Sequence, residues 1–389
     1  MKNNQSGFTL IEMMLTMGLT LIIMASTMAA MSNAIRASEV ASLTTGMNQG
    51  LRTAMDIIVR DMLQVGQGLP SGRTIDIPNG TGATQIRLPG APTVASPGTG
   101  DPPAIRYMPS GATEMTAIIP GYQLGPTING VRTDVITMVQ ADGAFLSTIS
   151  DYDVNLTALT NTTMTVDPSV DISNGGADDL KVGDLIMLMK ATSTTLVEIT
   201  ALDGVQTATF GYPTGGDALN LNQTAAAQGT LTAHRAIAPA DTCTGTGCFI
   251  PTTATRVRLV SYYIDTITTP ERPRLVRRIN NGSCSNCSTV YNNLAGTAVA
   301  FDVENLQISY DLVDGVGNPS GVKFTAADLA GTTGGACAPN PCSPNQIRKI
   351  NVTITGRSRT SMRQTRQYFR NTLTTQVSLR SMSFMDRYK

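Results

Sequence analysis

The residue best placed to do chemistry in this chain is a lone carboxylate in an apolar run. Glu12 is the only charge between Phe8 and Met31, a stretch of 24 residues. An ionised carboxylate among lipid chains costs a few kcal/mol even on the mildest insertion scale. One reading is a tolerated acid in the first turn of a helix, where free amides and the helix dipole favour negative charge. The other is an acid that awaits a positive partner. A cut after Gly7 would leave Phe8 with a free amine, and the Glu12 of a neighbouring copy could neutralise it. Two such buried charges would then set the axial register between packed helices.

The six cysteines form three close pairs, Cys243 with Cys248, Cys284 with Cys287, and Cys337 with Cys342, each in a loop rich in small and polar residues. With export of the body, disulfides are the plainer reading, each contributing on the order of 2 kcal/mol. A zinc site built from four of them, or a redox pair at Cys284 and Cys287, is the competing one. A redox CxxC opens a helix, however, and no helical pattern follows here. His234 is the only histidine, so triads and multi-histidine metal sites lack material. Phosphate-binding and dinucleotide-binding glycine motifs are missing as well. Asp151, Asp153 and Asn155 open like a calcium loop, but Leu156 and Thr162 stand where glycine and glutamate are needed. A surface turn fits them better, and the same holds for Asp311 and Asp314. These patterns predict a protein that is not an enzyme and has no cofactor or metal.

The elements that carry these residues follow from periodicity. Residues 8–31 are long enough, at roughly 36 Å as a helix, to cross a bilayer core of about 30 Å. Beyond them Leu43, Met47, Leu51, Met55, Ile58, Met62 and Val65 step by three and four, one stripe of an amphipathic helix. Asn48, Arg52, Asp56, Arg60 and Asp61 are assigned to its other faces. Gly66 and Gly68-Leu69-Pro70 supply the stop. Gly18 is the only intrinsic weak point in the apolar half, which has no proline. Residues 67–130 are dense in glycine and proline and read as an extended connection with short strands, lying on the body through its isoleucines, Tyr107 and Tyr122. From 131 to 389 the pattern is β: 134–139, 184–189, 195–200, 256–264, 273–279, 298–312, 347–357 and 372–380. In 347–357, Val352 and Ile354 should face away from Thr353 and Thr355. The expected division is a leader at 1–7, an apolar half-helix at 8–31, an amphipathic half at 32–66, the connection at 67–130 and a β-rich body at 131–389.

Gly7-Phe8-Thr9-Leu10-Ile11-Glu12, with its short polar leader and the apolar residues behind it, resembles the processing and methylation motif of type IV prepilins and type II secretion pseudopilins. The resemblance implies cleavage between Gly7 and Phe8 by a prepilin peptidase, N-methylation of Phe8, and a Glu12 contact to an adjacent subunit's amino terminus. It implies an α+β fold, one long amino-terminal helix packed on a large, mostly antiparallel β-domain. The segments around 261–278, 299–315, 347–358 and 372–380, with Lys181-Val182-Gly183-Asp184-Leu185 and Leu219-Asn220-Leu221-Asn222, resemble PilW-like minor pilins more diffusely. That resemblance implies a type IV pilus minor pilin acting in assembly initiation or at the tip, with roles in adhesion and twitching motility. Its partners would be other major and minor pilins and a tip adhesin. The implied location is a single-pass inner-membrane precursor with an exported body, then the pilus at the cell surface. A secretion or competence pseudopilin shares every step but the machine. A membrane-tethered adhesion module is the more distant alternative.

Charge balances at 28 against 28 but is unevenly placed. Acids crowd 134–217, where Lys181 and Lys190 are the only bases, and bases crowd 347–389, where Asp386 is the only acid. The expectation is that these two faces meet in the fold. Otherwise Arg357, Arg359, Arg363, Arg366 and Arg370 meet an acidic partner, an anionic surface or DNA, for which Tyr368 and Phe369 are the only nearby stacking pair.

Overall fold

In the computed structural model of the chain, the described residues are 7, 9–69, 75–89, 106–108, 112–143, 154–172, 179–190, 193–210, 217, 219–223, 228–229, 252–267, 269–280, 296–313, 320–329, 342–362 and 365–384. The architecture is α+β: a 54-residue helix, α1 (Leu10–Leu63), and a large, mostly antiparallel β-body. The chain divides into two compact units, residues 1–49 with 357–371, and residues 50–356 with 372–389.

In the first unit, α1 is exposed throughout its apolar part; Leu10 and Met28 keep 79% and 77% of their surface. The helix passes Gly18 without a break. Its hydroxyls do not stay empty-handed. Thr16, Thr20, Ser26 and Thr27 donate back to carbonyls three or four residues earlier, at 2.7 to 2.9 Å. That back-bonding lets polar side chains sit on an apolar helix without unmet donors. Further along, Met47 is buried, and Asn371 Nδ2 donates to Asn48 Oδ1 at 2.7 Å.

In the second unit the predicted stripe is the buried face of the helix. Leu51, Met55, Ile58, Met62 and Val65 are all buried, and Ala54 with them. Gly356 makes this close approach possible, because a Cβ there would lie 2.8 Å from Leu51 Cδ2. The helix stops as expected: Gly66 and Gly68 take the left-handed conformation that glycine adopts cheaply. Gly66 N–H then donates to Val139 O at 3.0 Å.

Among the described residues the large sheet has eleven strands, paired antiparallel. In chain order they are β1 (Ile118–Gly121), β2 (Val135–Ala141), β3 (Val154–Leu159), β4 (Thr163–Val166), β5 (Leu185–Lys190), β6 (Ser193–Glu198), β7 (Ala201–Leu202), β8 (Thr207–Thr209), β9 (Thr253–Asp265), β10 (Arg274–Ile279) and β11 (Thr297–Phe301). Strand β9, 13 residues long, is the hub and pairs with β2, β3, β5 and β10 at different points along its length. A second sheet runs β12 (Val303–Leu312), β13 (Ile347–Arg357), β14 (Arg370–Ser378). On β13, Val352 and Ile354 are buried while Thr353 and Thr355 face outwards, as alternation requires. Isoleucines of the Gly/Pro-rich region (Ile75, Ile77, Ile86, Ile119) join Leu185, Leu196 and Leu259 in one core cluster.

Three expectations need correcting. The segment 298–312 is two strands, not one. It breaks at Asp302, which adopts φ +62° while Arg272 clamps its carboxylate through Nε and Nη2 at 3.1 and 2.7 Å. Asp61 does not lie on an outer face of α1; it is buried and ion-paired. The acid-rich stretch is met by β9 instead of the basic carboxy-terminal segment: Asp142 pairs with Arg256 and Arg258, and Asp184 with Arg256.

Candidate functional site

The site begins where the helix begins. Gly7 is exposed, and Phe8 lies outside the described residues. Thr9 is the residue ahead of α1, and Glu12 is three positions on. Thr9 N–H and Oγ1 both donate to Glu12 Oε2 at 3.0 Å, and Glu12 N–H returns a bond to Thr9 Oγ1 at 3.4 Å. This reciprocal pair is a capping box, which satisfies amides that the first turn of a helix otherwise leaves open. Within one chain, then, Glu12 already has a partner. The carboxylate is exposed, so its other oxygen and its charge remain available to a second molecule. The Thr-x-x-Glu spacing is itself a sequence signal for a helix start, and it marks Thr9 as a residue that the charge argument alone overlooks.

The other named residues fall elsewhere. Cys342 is buried and disulfide-bonded, which takes its sulfur out of any zinc site. It directly precedes Ser343, whose side chain caps the short 3-10 turn Pro344–Gln346 that leads into β13. Cys243, Cys248, Cys284, Cys287, Cys337 and His234 lie outside the described residues. So do Asp151, Asp153 and Asp314. Asn155 is on strand β3, opposite Thr253, and not in a surface turn. Asp311 is not in a turn either: from the end of β12 its carboxylate accepts from Gly321 N–H (3.0 Å), Asn351 Nδ2 (2.8 Å) and Gln376 Nε2 (2.9 Å). That is a structural tether between strands. Among the described residues no cluster of metal-ligating side chains occurs.

In the basic carboxy-terminal segment, Arg357 lies 4.3 Å over the Tyr368 ring, and Arg359, Arg366 and Arg370 are exposed; Arg363 is outside the described residues. The β13–β14 connection is held by Ser358, whose N–H donates to Phe369 O and whose Oγ accepts from Phe369 N–H. Tyr368 is thus engaged with an arginine of its own chain instead of standing as an open stacking platform.

Residues 2–28 match the family described as "Prokaryotic N-terminal methylation motif". The chain carries a prepilin-type amino terminus. The match supports the type IV pilin and pseudopilin superfamily, and implies processing by prepilin peptidase and assembly with other pilins. With α1 long and apolar enough to cross a membrane, it fits a single-pass inner-membrane precursor and a structural role rather than a catalytic one. No curated protein and no solved structure matches the chain.

Proposed function

We propose that this protein is a minor pilin of a type IV pilus, acting where the filament is initiated or at its tip. The observation that carries this reading is the division of α1. Directly behind Gly7 to Glu12 the helix is apolar and exposed, whereas Leu51, Ala54, Met55, Ile58 and Met62 form a buried face on the same helix. An exposed apolar half-helix needs a bilayer or a bundle of like helices to cover it. Residues 1–7 would be the leader removed by the peptidase. Phe8 would then carry the free, methylated amine, and Glu12 would dock on the amine of a neighbour while the apolar halves pack together. The diffuse likeness to PilW-like minor pilins supports the minor role, as does steric bulk: a 389-residue chain fits more easily at a tip than in a repeated shaft. The three cysteine pairs would stiffen exported loops as disulfides.

The decisive measurement is mass spectrometry of the native amino terminus combined with shearing of surface fibres. The reading expects a chain that starts at methylated Phe8 and co-purifies with sheared filaments. A chain that still starts at Met1, or that stays with the cell body, would refute it.

A further inference from the structure

Strand β14 ends the three-stranded sheet, and no described strand lies beyond it. Which of its backbone groups face outwards can be read from its register. At one end Ser358 N–H donates to Phe369 O at 2.7 Å, and at the other Leu379 N–H donates to Arg348 O at 2.9 Å. Between them the hydroxyls of Thr355 and Thr372 meet at 2.9 Å, and those of Thr353 and Thr374 at 3.1 Å. One antiparallel register accounts for all four contacts. In such a ladder, alternate residues turn both N–H and C=O to the same neighbour. The odd-numbered residues from 369 to 379 therefore face β13, while Thr374, Gln376 and Ser378 turn theirs away, and all three are exposed.

Other sheet edges among the described residues are covered or shorter than β14: β11, beyond β10, has five residues against the nine of β14. On the far side of this sheet, Tyr310 and Val322 exchange 2.9 Å backbone bonds, Leu306 O accepts from Asp134 N–H, and Ile308 N–H donates to Asp134 Oδ2. In the large sheet, β6 is buried from Thr194 to Glu198, and β7 is two residues long. Strand β14 lacks the devices that block edge pairing: it has no proline, and nothing from Asn371 to Ser378 is charged. Its inner side is also unfinished, since Leu373 and Thr375 are only half-buried where Val377 is fully so.

We propose that this edge binds an extended segment of a different protein by strand addition, a neutral β-forming stretch with acidic residues at its ends. The charges choose this occupant over a second copy. Arg370 opens the strand and Arg380 follows it, both exposed. Two β14 strands paired antiparallel about Thr375, the register of fullest overlap, would set Arg370 of each against Arg380 of the other, and like charges across a pair are destabilising. Acidic ends meet the same arginines favourably, and a pairing edge of this kind draws affinity from main-chain bonds and selectivity from flanking side chains. The edge would act this way in whichever assembly the helix enters.

The test uses the full chain in detergent and two fluorescent peptides of alternating threonine and valine, one with paired aspartates at each end, the other with paired lysines. Saturable binding of the aspartate peptide, about tenfold tighter than the lysine peptide, is expected. Thr374→Pro removes an outward N–H and the hydroxyl that meets Thr353 but leaves the backbone bonds to β13 in place, so it should abolish binding while the far-UV spectrum stays unchanged, and Thr374→Ala, which loses only the hydroxyl, should still bind. Arg370→Glu with Arg380→Glu should reverse the peptide preference on an intact fold. Absence of binding by either peptide, or binding that a folded Thr374→Pro variant retains, would overturn the proposal. So would a sedimenting self-dimer that Thr374→Pro dissociates, because it would make a second copy the occupant.

Discussion

Replacing Arg277 should cost this protein more than replacing the acid it pairs with, and the reason lies in unequal burial. Asp61 on α1 is held by Tyr262 Oη on β9 and by Arg277 on β10, whose Nε bonds Oδ2 and whose Nη2 bonds Oδ1 at 3.0 Å. The Asp61 side chain keeps 7% of its surface, the Arg277 side chain 23%. Arg277→Met strands a carboxylate away from water with only a phenol to bind it, a change worth about 3–5 kcal/mol. Asp61→Asn leaves an arginine that still reaches solvent and an amide oxygen that still accepts from Tyr262, so about 1–2 kcal/mol is expected. The double variant should lose less than the sum, because neither charge is then left alone. Denaturant unfolding of the full chain in detergent, followed by far-UV circular dichroism, measures all three; with no tryptophan in the chain, fluorescence from that residue is not an option. Equal costs, the reverse order, or losses below about 0.5 kcal/mol for both single variants would refute this account of how the helix is fixed to the sheet.

Glu12→Val should leave membrane insertion intact and impair assembly, and Glu12→Gln separates cap from charge, since glutamine can keep the bonds to Thr9. Filaments of normal number in a Glu12→Gln strain would eliminate the charge-docking role. Gly7→Glu should leave an uncleaved precursor on a gel, and an unchanged mature size would count against the peptidase step. Gly356→Val should destabilise the body by about 1–3 kcal/mol by driving a side chain into Leu51, read from the shift in denaturation midpoint. Burial pushes the hydroxyl groups of Tyr262 and Tyr263 up, with Asp61 adding to the effect at Tyr262. A raised folded value means stability is complete below the unfolded tyrosine value and is lost as pH climbs past it, from about pH 10. Alkaline unfolding should therefore flatten in a Tyr262→Phe variant, and an unchanged slope would speak against it.

What could be read in the sequence was whatever repeats at short range. The helix stripe from Met47 to Val65 recurs every three or four residues, and the structure buries it as one face. The alternation in β13 was equally plain. Asp61 was hidden because it sits beside the stripe among ordinary surface charges, while its partners lie 201 and 216 residues away in sequence. The break at Asp302 was hidden for another reason. Ala298 to Phe301 before it are all apolar, the residues after it alternate, both read as strand, and an aspartate with positive φ leaves no mark in that pattern. The charge asymmetry misled because it compared two distant segments and overlooked Arg256 and Arg258, which lie on the central strand beside the acids they serve.

The amino-terminal site shows the same boundary between local and distant information. A carboxylate among exposed apolar residues calls for compensation, and the first compensation is the nearest one: Thr9, three residues away, with two donors to Oε2. That local cap is worth only about 0.5–2 kcal/mol. It can hold the acid while a precursor waits in the membrane, yet it offers no positive charge. A neighbouring amine would, and at low dielectric its full positive charge attracts the carboxylate more strongly than the neutral donors of Thr9 do. The cap and the proposed dock would therefore be successive rather than rival partners, ordered by strength. A weak intramolecular bond that is readily given up would suit a residue whose proposed second partner arrives with the next subunit.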